Sequence, residues 1–300
     1  MPDCLIVGGG PAGLTAALYL ARFGRSCTVI DANASRAAQI PVSHNLPGFP
    51  EGIGGEALLL RLRRQVANVS VPIEHSTVDA LRSDAGSFVA TLGEEHRHAR
   101  TVLLATGVVD QLPPGAPPAQ WHAMTLDGLV RWCPICDAYE VRDRRVGLIA
   151  PATTALGHAG FLRTYTRDLT LILTPDGGEL SDQDRGRLRT LDVLIIDQPI
   201  TFVRDTPCAV LVQFADGSVA DFDTVYPLVG CAARSHLATA LGAQCDEQGE
   251  LFVDAHQGTS VPGLYAAGDL VKALNQMTVG MAHAAVAATA IHRRLGNNPR

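Results

Sequence analysis

The segment Gly8-Gly9-Gly10-Pro11-Ala12-Gly13 constrains this chain more than any other stretch. It follows an apolar run at 4–7 and opens a helical pattern that passes through Phe23 and stops at Gly24. A second apolar run, 27–30, ends on Asp31. Strand, glycine turn, helix and strand within about 30 residues make a βαβ unit with parallel strands. In such a unit Gly8 permits the tight turn, Gly10 lets a pyrophosphate approach the backbone, and Gly13 lets helix and strand pack closely. The helix N-terminus then faces the phosphates, and Asp31 stands where a carboxylate accepts hydrogen bonds from ribose hydroxyls. The bland alternative is a structural glycine turn, and the company of strand, helix and acid weighs against it.

Further along, residues 35–55 are rich in Pro, Gly and Asn and read as a long loop, a feature compact domains usually keep for function. Residues 56–69 read as a helix, 73–97 as a β-meander turning at Asp84-Ala85-Gly86, and 101–105 as a strand ending in Thr106-Gly107. Residues 111–120, with Pro113, Pro114, Pro117 and Pro118, are the clearest linker. Past it the strand–turn–helix–strand pattern repeats, with a strand from 146, a helix over 155–166 and a strand over 169–173. Strands are expected at 193–196, 209–214, 224–229, 251–253 and 263–267, then a final helix over 278–295. The fold class is therefore α/β, with two Rossmann-like, three-layer nucleotide-binding domains. At 300 residues the chain is long enough for both.

FAD is preferred over NAD for the first site because two more strands end in special residues, Thr106-Gly107 and Gly268-Asp269. Strand C-termini in an open α/β sheet converge on the ligand crevice, so these pairs lengthen the site. Asp269 is placed to bind a ribityl hydroxyl, with a plain turn or N-cap role as its equal alternative. The final helix would point its positive end at the flavin pyrimidine.

The chemical centre is Trp132-Cys133-Pro134-Ile135-Cys136-Asp137. Two cysteines separated by two residues at a helix start can close a disulfide, and the helix N-terminus lowers a thiolate pKa. Asp137 follows as a candidate acid or base for thiol exchange. A zinc half-site is the rival reading, but no second CxxC or Cys/His pair stands at zinc spacing; two inert thiols are the other. Cys4 and Cys27 lie on apolar strands and read as core, while Cys208, Cys231 and Cys245 have no telling spacing.

Seven dispersed cysteines with one CxxC fit a reducing cytoplasm rather than a secreted disulfide framework. No signal peptide is evident, and no apolar stretch reaches the roughly 20 residues of a membrane span. A formal charge of −6 without a basic stripe argues against nucleic acid. Arg63 and Arg64 read as a solvated helix face.

Taken together these residues resemble the low-molecular-weight thioredoxin reductase family over essentially the whole chain. The matching segments are Gly8–Gly13, Ser43-His44-Asn45-Leu46-Pro47-Gly48-Phe49, Ala105-Thr106-Gly107, Cys133–Asp137 and Gly263-Leu264-Tyr265-Ala266-Ala267-Gly268-Asp269. The resemblance implies a FAD domain (1–113 and 246–300) interrupted by an inserted pyridine-nucleotide-type domain (118–240) that carries the CxxC, with linkers at 114–117 and 241–245, and a homodimer. It implies that Cys136 faces the flavin, that Cys133 attacks a partner disulfide and that Asp137 donates the proton. Asn45 would lie near the flavin, with Asn275, Gln276 and Met277 at its pyrimidine edge. The whole set expected to hold the cofactor is Gly8, Gly10, Pro11, Ala12, Gly13, Asp31, Arg36, His44, Asn45, Val78, Thr106, Gly107, Gly268, Asp269, Asn275, Gln276 and Met277. No metal is expected. His44 and His283 are candidates for moving protons over the flavin, because imidazole titrates near neutrality; a packed core histidine is the commoner finding for His283. Trp132 would shield the disulfide or simply pack.

The departures concern the second nucleotide site. Where the family carries GxGxxA, this chain reads Ala150-Pro151-Ala152-Thr153-Thr154-Ala155. Alanine Cβ atoms would crowd a pyrophosphate, and Pro151 removes a backbone N–H. Where a basic cluster would hold a 2′-phosphate stands Thr174-Pro175-Asp176-Gly177-Gly178-Glu179, two acids and no arginine. Ala138 replaces a usual glycine beside the redox motif. NADPH is therefore not expected as the donor, and the chain resembles the ferredoxin-dependent and other NADPH-independent branches of the family, which implies a ferredoxin-type protein or another donor. The partner would be a thioredoxin-like protein or a small-molecule dithiol or disulfide. Alternatives are a dithiol oxidase that passes electrons to oxygen, a non-catalytic redox sensor, and an unorthodox NADPH site.

Overall fold

The apolar run Cys4–Val7 is β1, buried along its whole length. Pro11 occupies the first turn of α1 (Pro11–Arg22), where its missing N–H is no loss. Helix α1 leads into β2 (Cys27–Ile30), which pairs in parallel with β1, Cys4 beside Cys27 and Val7 beside Ile30. A 3-10 turn at Arg36–Gln39 and an isolated antiparallel bridge between Ser43 and Ile53 precede α2 (Gly55–Ala67). Strand β3 (Ile73–Glu74) extends the parallel sheet beyond β2, so the segment expected as one meander from residue 73 starts in a different sheet. The meander itself is β4 (Ala80–Asp84), β5 (Ser87–Leu92) and β6 (Glu95–Ala99). Ala85 and Gly86 both take positive φ at its first turn, the pairing a tight hairpin requires. Strand β7 (Thr101–Leu104) then returns beside β1, and β8 (Val108–Asp110) leads out of this part of the chain.

The next segment holds α3 (Pro118–Leu126), the single turn α4 (Pro134–Asp137), β9 (Val146–Ala150), α5 (Ala152–Leu162) and β10 (Leu169–Leu173). It continues through α6 (Asp182–Thr190), β11 (Leu194–Ile196), β12 (Ile200–Thr206), β13 (Ala209–Phe214), β14 (Val219–Phe222) and β15 (Thr224–Pro227). Its parallel sheet runs β11-β10-β9-β15, and β12-β13-β14 form an antiparallel sheet. Strand side chains alternate between faces, and β9 shows the result. Val146, Leu148 and Ala150 pack with residues of α5 and α6, while Ile149 packs with Trp121 and Met124 of α3 and with the antiparallel sheet. That is a three-layer arrangement. Strands β12 and β14 escape a sequence reading because their exposed faces carry Thr, Arg and Asp.

The chain comes back through β16 (Cys231–Ala233), which pairs with β8, then α7 (His236–Thr239), β17 (Leu264–Ala266) and α8 (Met277–Arg294). Strand β17 joins β7, which completes a five-stranded parallel sheet in the order β17-β7-β1-β2-β3. Leu5, Val7, Val102, Leu104 and Leu264 pack on the meander face, and α1 and α8 pack against each other and the sheet. Leu251 makes only isolated bridges, with Cys245 and Val271, where a strand was expected.

This computed structural model describes residues 1–298. Two compact units result: Met1–Ala38 with Gly54–Val109 and the chain from Cys231 onward, and Gln39–Ile53 with Asp110–Gly230. Each has the Rossmann-like α/β plan. The crossing back falls at Gly230, ahead of the 241–245 linker expected, because β16 pairs with β8 and α7 packs beside β4. No described helix is long and apolar enough to cross a membrane.

Candidate functional site

In the first unit the glycine turn is shaped by close approach. Gly8 has φ +113°, and a Cβ there would run into the Ala105 carbonyl. A Cβ on Gly13 would strike the Gly8 carbonyl, and one on Gly9 the Asp31 carboxylate. At Gly10 the space is open but for Ser35 Oγ, 3.2 Å from an added Cβ. Backbone packing thus requires Gly8 and Gly13 and the Asp31 side chain requires Gly9, while Gly10 leaves room for a ligand at the N-terminus of α1, beside Pro11 and Ala12.

Asp31 is 3% exposed. Its Oδ1 accepts from the Gly9 N–H at 3.3 Å and the Asn33 N–H at 3.0 Å. Its Oδ2 lies 3.5 Å from Arg63 Nη2, which also donates to Asn33 Oδ1 at 3.2 Å. Arg63 therefore belongs to the site rather than to a solvated face, and no local sequence signal pointed to it. Gly268 has φ +90°, and a Cβ there would lie 3.2 Å from Ala12 Cβ; a Cβ on Gly280 of α8 would lie 3.2 Å from Gly268 Cα. The starts of α1 and α8 and the turn before Asp269 so meet at one point. Gln276 is the N-cap residue of α8 and Met277 its first residue. Asn275 Oδ1 and His283 Nδ1 are buried with no hydrogen-bond partner. Burial pushes the His283 imidazole below its usual pKa, against the pull of the Asp269 charge.

The other residues expected to hold the cofactor have contacts of their own. Thr106 donates its hydroxyl to the Arg234 carbonyl at 2.6 Å, and Gly107, φ +67°, accepts from the Arg234 N–H at 2.9 Å, so this pair anchors the returning chain. Val78 packs in the core cluster under the meander, and Arg36 sits half-buried in the 3-10 turn. His44 and Asn45 are exposed and group with the second unit, where Ser43 donates to Asn45 Oδ1 at 3.0 Å.

The second unit holds the Cys133–Cys136 disulfide, Cα atoms 5.3 Å apart. Cys133 is the N-cap residue of α4, Pro134 its first residue, and the Cys136 N–H donates to the Cys133 carbonyl at 2.9 Å. The helix is one turn long and passes directly into a 3-10 turn over Ala138–Val141. Asp137 closes the helix. The Tyr226 hydroxyl donates to Asp137 Oδ1 at 2.8 Å, and Arg131 Nη1 donates to Oδ2 at 3.1 Å. Burial raises the Asp137 carboxyl above its usual range; the Arg131 charge and the Tyr226 hydrogen bond oppose that rise. Strand β15 brings the partners together: Val130 bridges Val225, and the Arg131 N–H donates to the Val225 carbonyl at 2.9 Å. Ile135 and Tyr139 stand 53% and 61% exposed, so an apolar surface flanks the pair. Trp132 packs with the core beside α3 and donates to Thr125 Oγ1 at 2.9 Å. Ala138, in place of glycine, is buried without strain. Among the described residues no group of three His, Cys, Asp or Glu side chains is placed to hold a metal ion.

At the second βαβ turn Pro151 is the N-cap residue of α5. The 3-10 turn Pro175–Gly177 lies directly on it: a Cβ on Gly177 would be 2.5 Å from Pro151 Cα. The Thr174 N–H donates to the Ala150 carbonyl at 3.2 Å and the Gly177 N–H to the Thr174 carbonyl at 3.1 Å, which fastens that turn down. The crevice at the C-terminal ends of β9 and β10 is where a second dinucleotide would lie.

Comparison with known proteins agrees with this geometry. Residues 2–289 match the family described as pyridine nucleotide-disulphide oxidoreductase. A thioredoxin reductase of Mycolicibacterium smegmatis is 30% identical over 279 residues, covering 90% of this chain and 88% of that one. Among solved structures, HlmI superimposes with a TM-score of 0.88 at 28% identity, covering 98% of this chain and 92% of its own. The thioredoxin reductase of Streptococcus pyogenes MGAS5005 does so with a TM-score of 0.88 at 26% identity, covering 98% of each.

Proposed function

The chain belongs to the pyridine nucleotide-disulphide oxidoreductase family and is a thioredoxin reductase-like, FAD-dependent disulfide oxidoreductase, and on that premise we propose that it serves a partner disulfide through Cys133 and Cys136 without drawing electrons from NADPH. The observation that carries the second half is the proline-capped turn at Pro151 with the Gly177 backbone packed on it. A pyrophosphate needs open backbone N–H groups at that point, and here one N–H is absent and the approach is filled. Asp176 and Glu179 add like charge where a 2′-phosphate would lie. The second unit does not fit NADPH.

FAD fits the first unit. Gly10 and the start of α1 would take the pyrophosphate, Asp31 the ribose, and Asp269, Asn275, Gln276 and Met277 the flavin end, where Asn275 Oδ1 lacks a partner. When bound, FAD supplies a two-electron carrier. The donor that fills it is of the ferredoxin type, a one-electron iron–sulfur protein used twice.

The chain's own residues do the sulfur chemistry. In the reduced dithiol, Cys133 as thiolate attacks the partner disulfide; a Cys133–partner S–S bond forms and one partner thiolate leaves. Cys136 then attacks the Cys133 sulfur, which restores the Cys133–Cys136 disulfide and releases the second partner thiolate. Two electrons and two protons have passed to the partner. Asp137, held beside the pair, gives and takes the protons. The exposed Ile135 and Tyr139 flanking the pair favour a protein partner of the thioredoxin kind over an enclosed small molecule. The exchange reading is supported by a disulfide already closed at a helix N-cap, with Asp137 the residue that follows Cys136 in the same turn.

Anaerobic titration of the flavin-loaded protein tests the donor. Photoreduced ferredoxin bleaches the flavin absorbance, while NADPH and NADH leave it oxidised. Rapid bleaching by NADPH overturns the proposal. Reduction by a small dithiol alone, followed by fast reoxidation in air, points to the dithiol oxidase instead.

A further inference from the structure

We propose that Arg131 and Tyr226 are positioning residues for thiol–disulfide exchange, a two-sided clamp that fixes the Asp137 carboxyl beside Cys133–Cys136. The inference rests on the reading of that pair as the exchanging couple. Three features carry it. Each carboxylate oxygen has its own donor, Tyr226 Oη to Oδ1 at 2.8 Å and Arg131 Nη1 to Oδ2 at 3.1 Å, so neither rotation nor tilt of the carboxyl is free. Both donors come from one built element, because the 130–131 segment lies along β15 and Tyr226 is the third residue of that strand. Tyr226 is fully buried, and burying a phenol hydroxyl is unfavourable unless it finds a partner; its partner is Asp137.

A surface ion pair for stability alone would not need a buried tyrosine from a strand 89 residues away. A carboxyl in a short helix behind a CxxC, by contrast, must be held if it is to reach a sulfur at each exchange. The clamp also sets the working range of the acid. Burial raises the Asp137 carboxyl, and the Arg131 charge and Tyr226 hydrogen bond restrain the rise. Glu140, the other charged group acting on it, pushes it further up. Helix α5, packed on α4, carries one titratable side chain, His158, which burial keeps below its ordinary pKa.

The test is single-turnover exchange by the full flavoprotein. The Cys133–Cys136 pair is reduced chemically, freed of reductant and mixed anaerobically with dithiobisnitrobenzoate. One probe disulfide is consumed, two coloured thiolates are released, two protons go to solvent and the protein disulfide re-forms. The rate is followed from pH 4 to 9. In the wild-type protein the rate falls on the acid side as Asp137 loses its charge and with it the capacity to accept the thiol proton.

Asp137→Asn slows exchange roughly a hundredfold and leaves only the limb set by ionisation of the Cys133 thiol. Tyr226→Phe and Arg131→Gln lower the high-pH plateau and also move the acid limb upward, because each removes a group that holds the Asp137 carboxyl down. The displacement is larger for Arg131→Gln, since the arginine contributes both charge and hydrogen bond. Arg131→Lys restores most of it, and as the mildest change it keeps the test decisive if Tyr226→Phe does not fold. A purely structural role would lower the plateau and leave the limb in place, and that outcome overturns the clamp. If Asp137→Asn exchanges as fast as wild type, the failure lies in the role given to Asp137 in the exchange reading itself, and the clamp falls with it.

Discussion

Replacing Asp31 by alanine separates its two roles, anchor of the glycine turn and ligand of the ribose. The side chain is 3% exposed and accepts from the Gly9 and Asn33 amides at 3.3 and 3.0 Å. Gly9 is buried, so its orphaned N–H costs about 1–3 kcal/mol. Asn33 is exposed, and water takes over there at little loss. The half-exposed Arg63 contact at 3.5 Å adds less than about 1 kcal/mol. The apoprotein therefore loses roughly 2 kcal/mol, which at this size lowers Tm by about 3 °C. Hydrogen bonds from the ribose to a charged carboxylate are worth about 1.5–3 kcal/mol, so FAD affinity falls roughly 10- to 100-fold in addition. Asp31→Asn keeps an acceptor for Gly9, leaves the apoprotein near wild type, and still binds FAD more weakly. Thermal melts of the deflavinated protein and FAD titration by fluorescence quenching read the two effects apart. FAD affinity unchanged within a factor of two in Asp31→Ala would refute the ribose role and leave Asp31 a turn anchor only.

Three further outcomes follow from particular contacts. Pro151→Gly does not confer reduction by NADPH, because the segment ending at Gly177 still covers the turn; bleaching of the flavin by NADPH in that variant contradicts this. Because burial raises the Asp137 carboxyl, the folded state keeps its proton to higher pH than the unfolded chain, and stability falls as pH rises between the two pKa values. Asp137→Asn flattens that slope and is at least as stable at pH 7; a clear loss of Tm there refutes the sign. In native protein Cys208, exposed, is alkylated first, whereas Cys27, its thiol pushed up to about 12 by burial, and the fully buried Cys4 are labelled only after denaturation. Peptide mass spectrometry after timed iodoacetamide treatment decides it.

What was legible in the amino-acid order was local. The run Cys4–Val7, the glycines behind it and Pro11 at the first turn of α1 specify a strand, a tight turn and a helix start through backbone sterics alone, and the structure has them at those residues. The CxxC spacing likewise brings Cys133 and Cys136 within disulfide reach across a single turn. Departures from a glycine-rich turn at 150–155 were visible for the same reason: which residues tolerate a close approach is a property of the residue itself. Boundaries that depend on pairing were not visible. Residues 73–74 join the parallel sheet instead of the meander, and the chain returns at β16 because β8 waits there to pair.

Tertiary structure alone decided the partners of the charged groups. Arg63 reads as one of a solvated pair until helix α2 carries it to Asp31, 32 residues earlier. Tyr226 is an unremarked aromatic in an apolar strand until β15 aligns with residues 130–131 and presents its hydroxyl to Asp137. Gly177 says nothing of Pro151 until β10 ends beside β9. Backbone preference acts over a few residues, whereas a hydrogen bond or ion pair between distant positions exists only once sheet register and layer packing have set the distance.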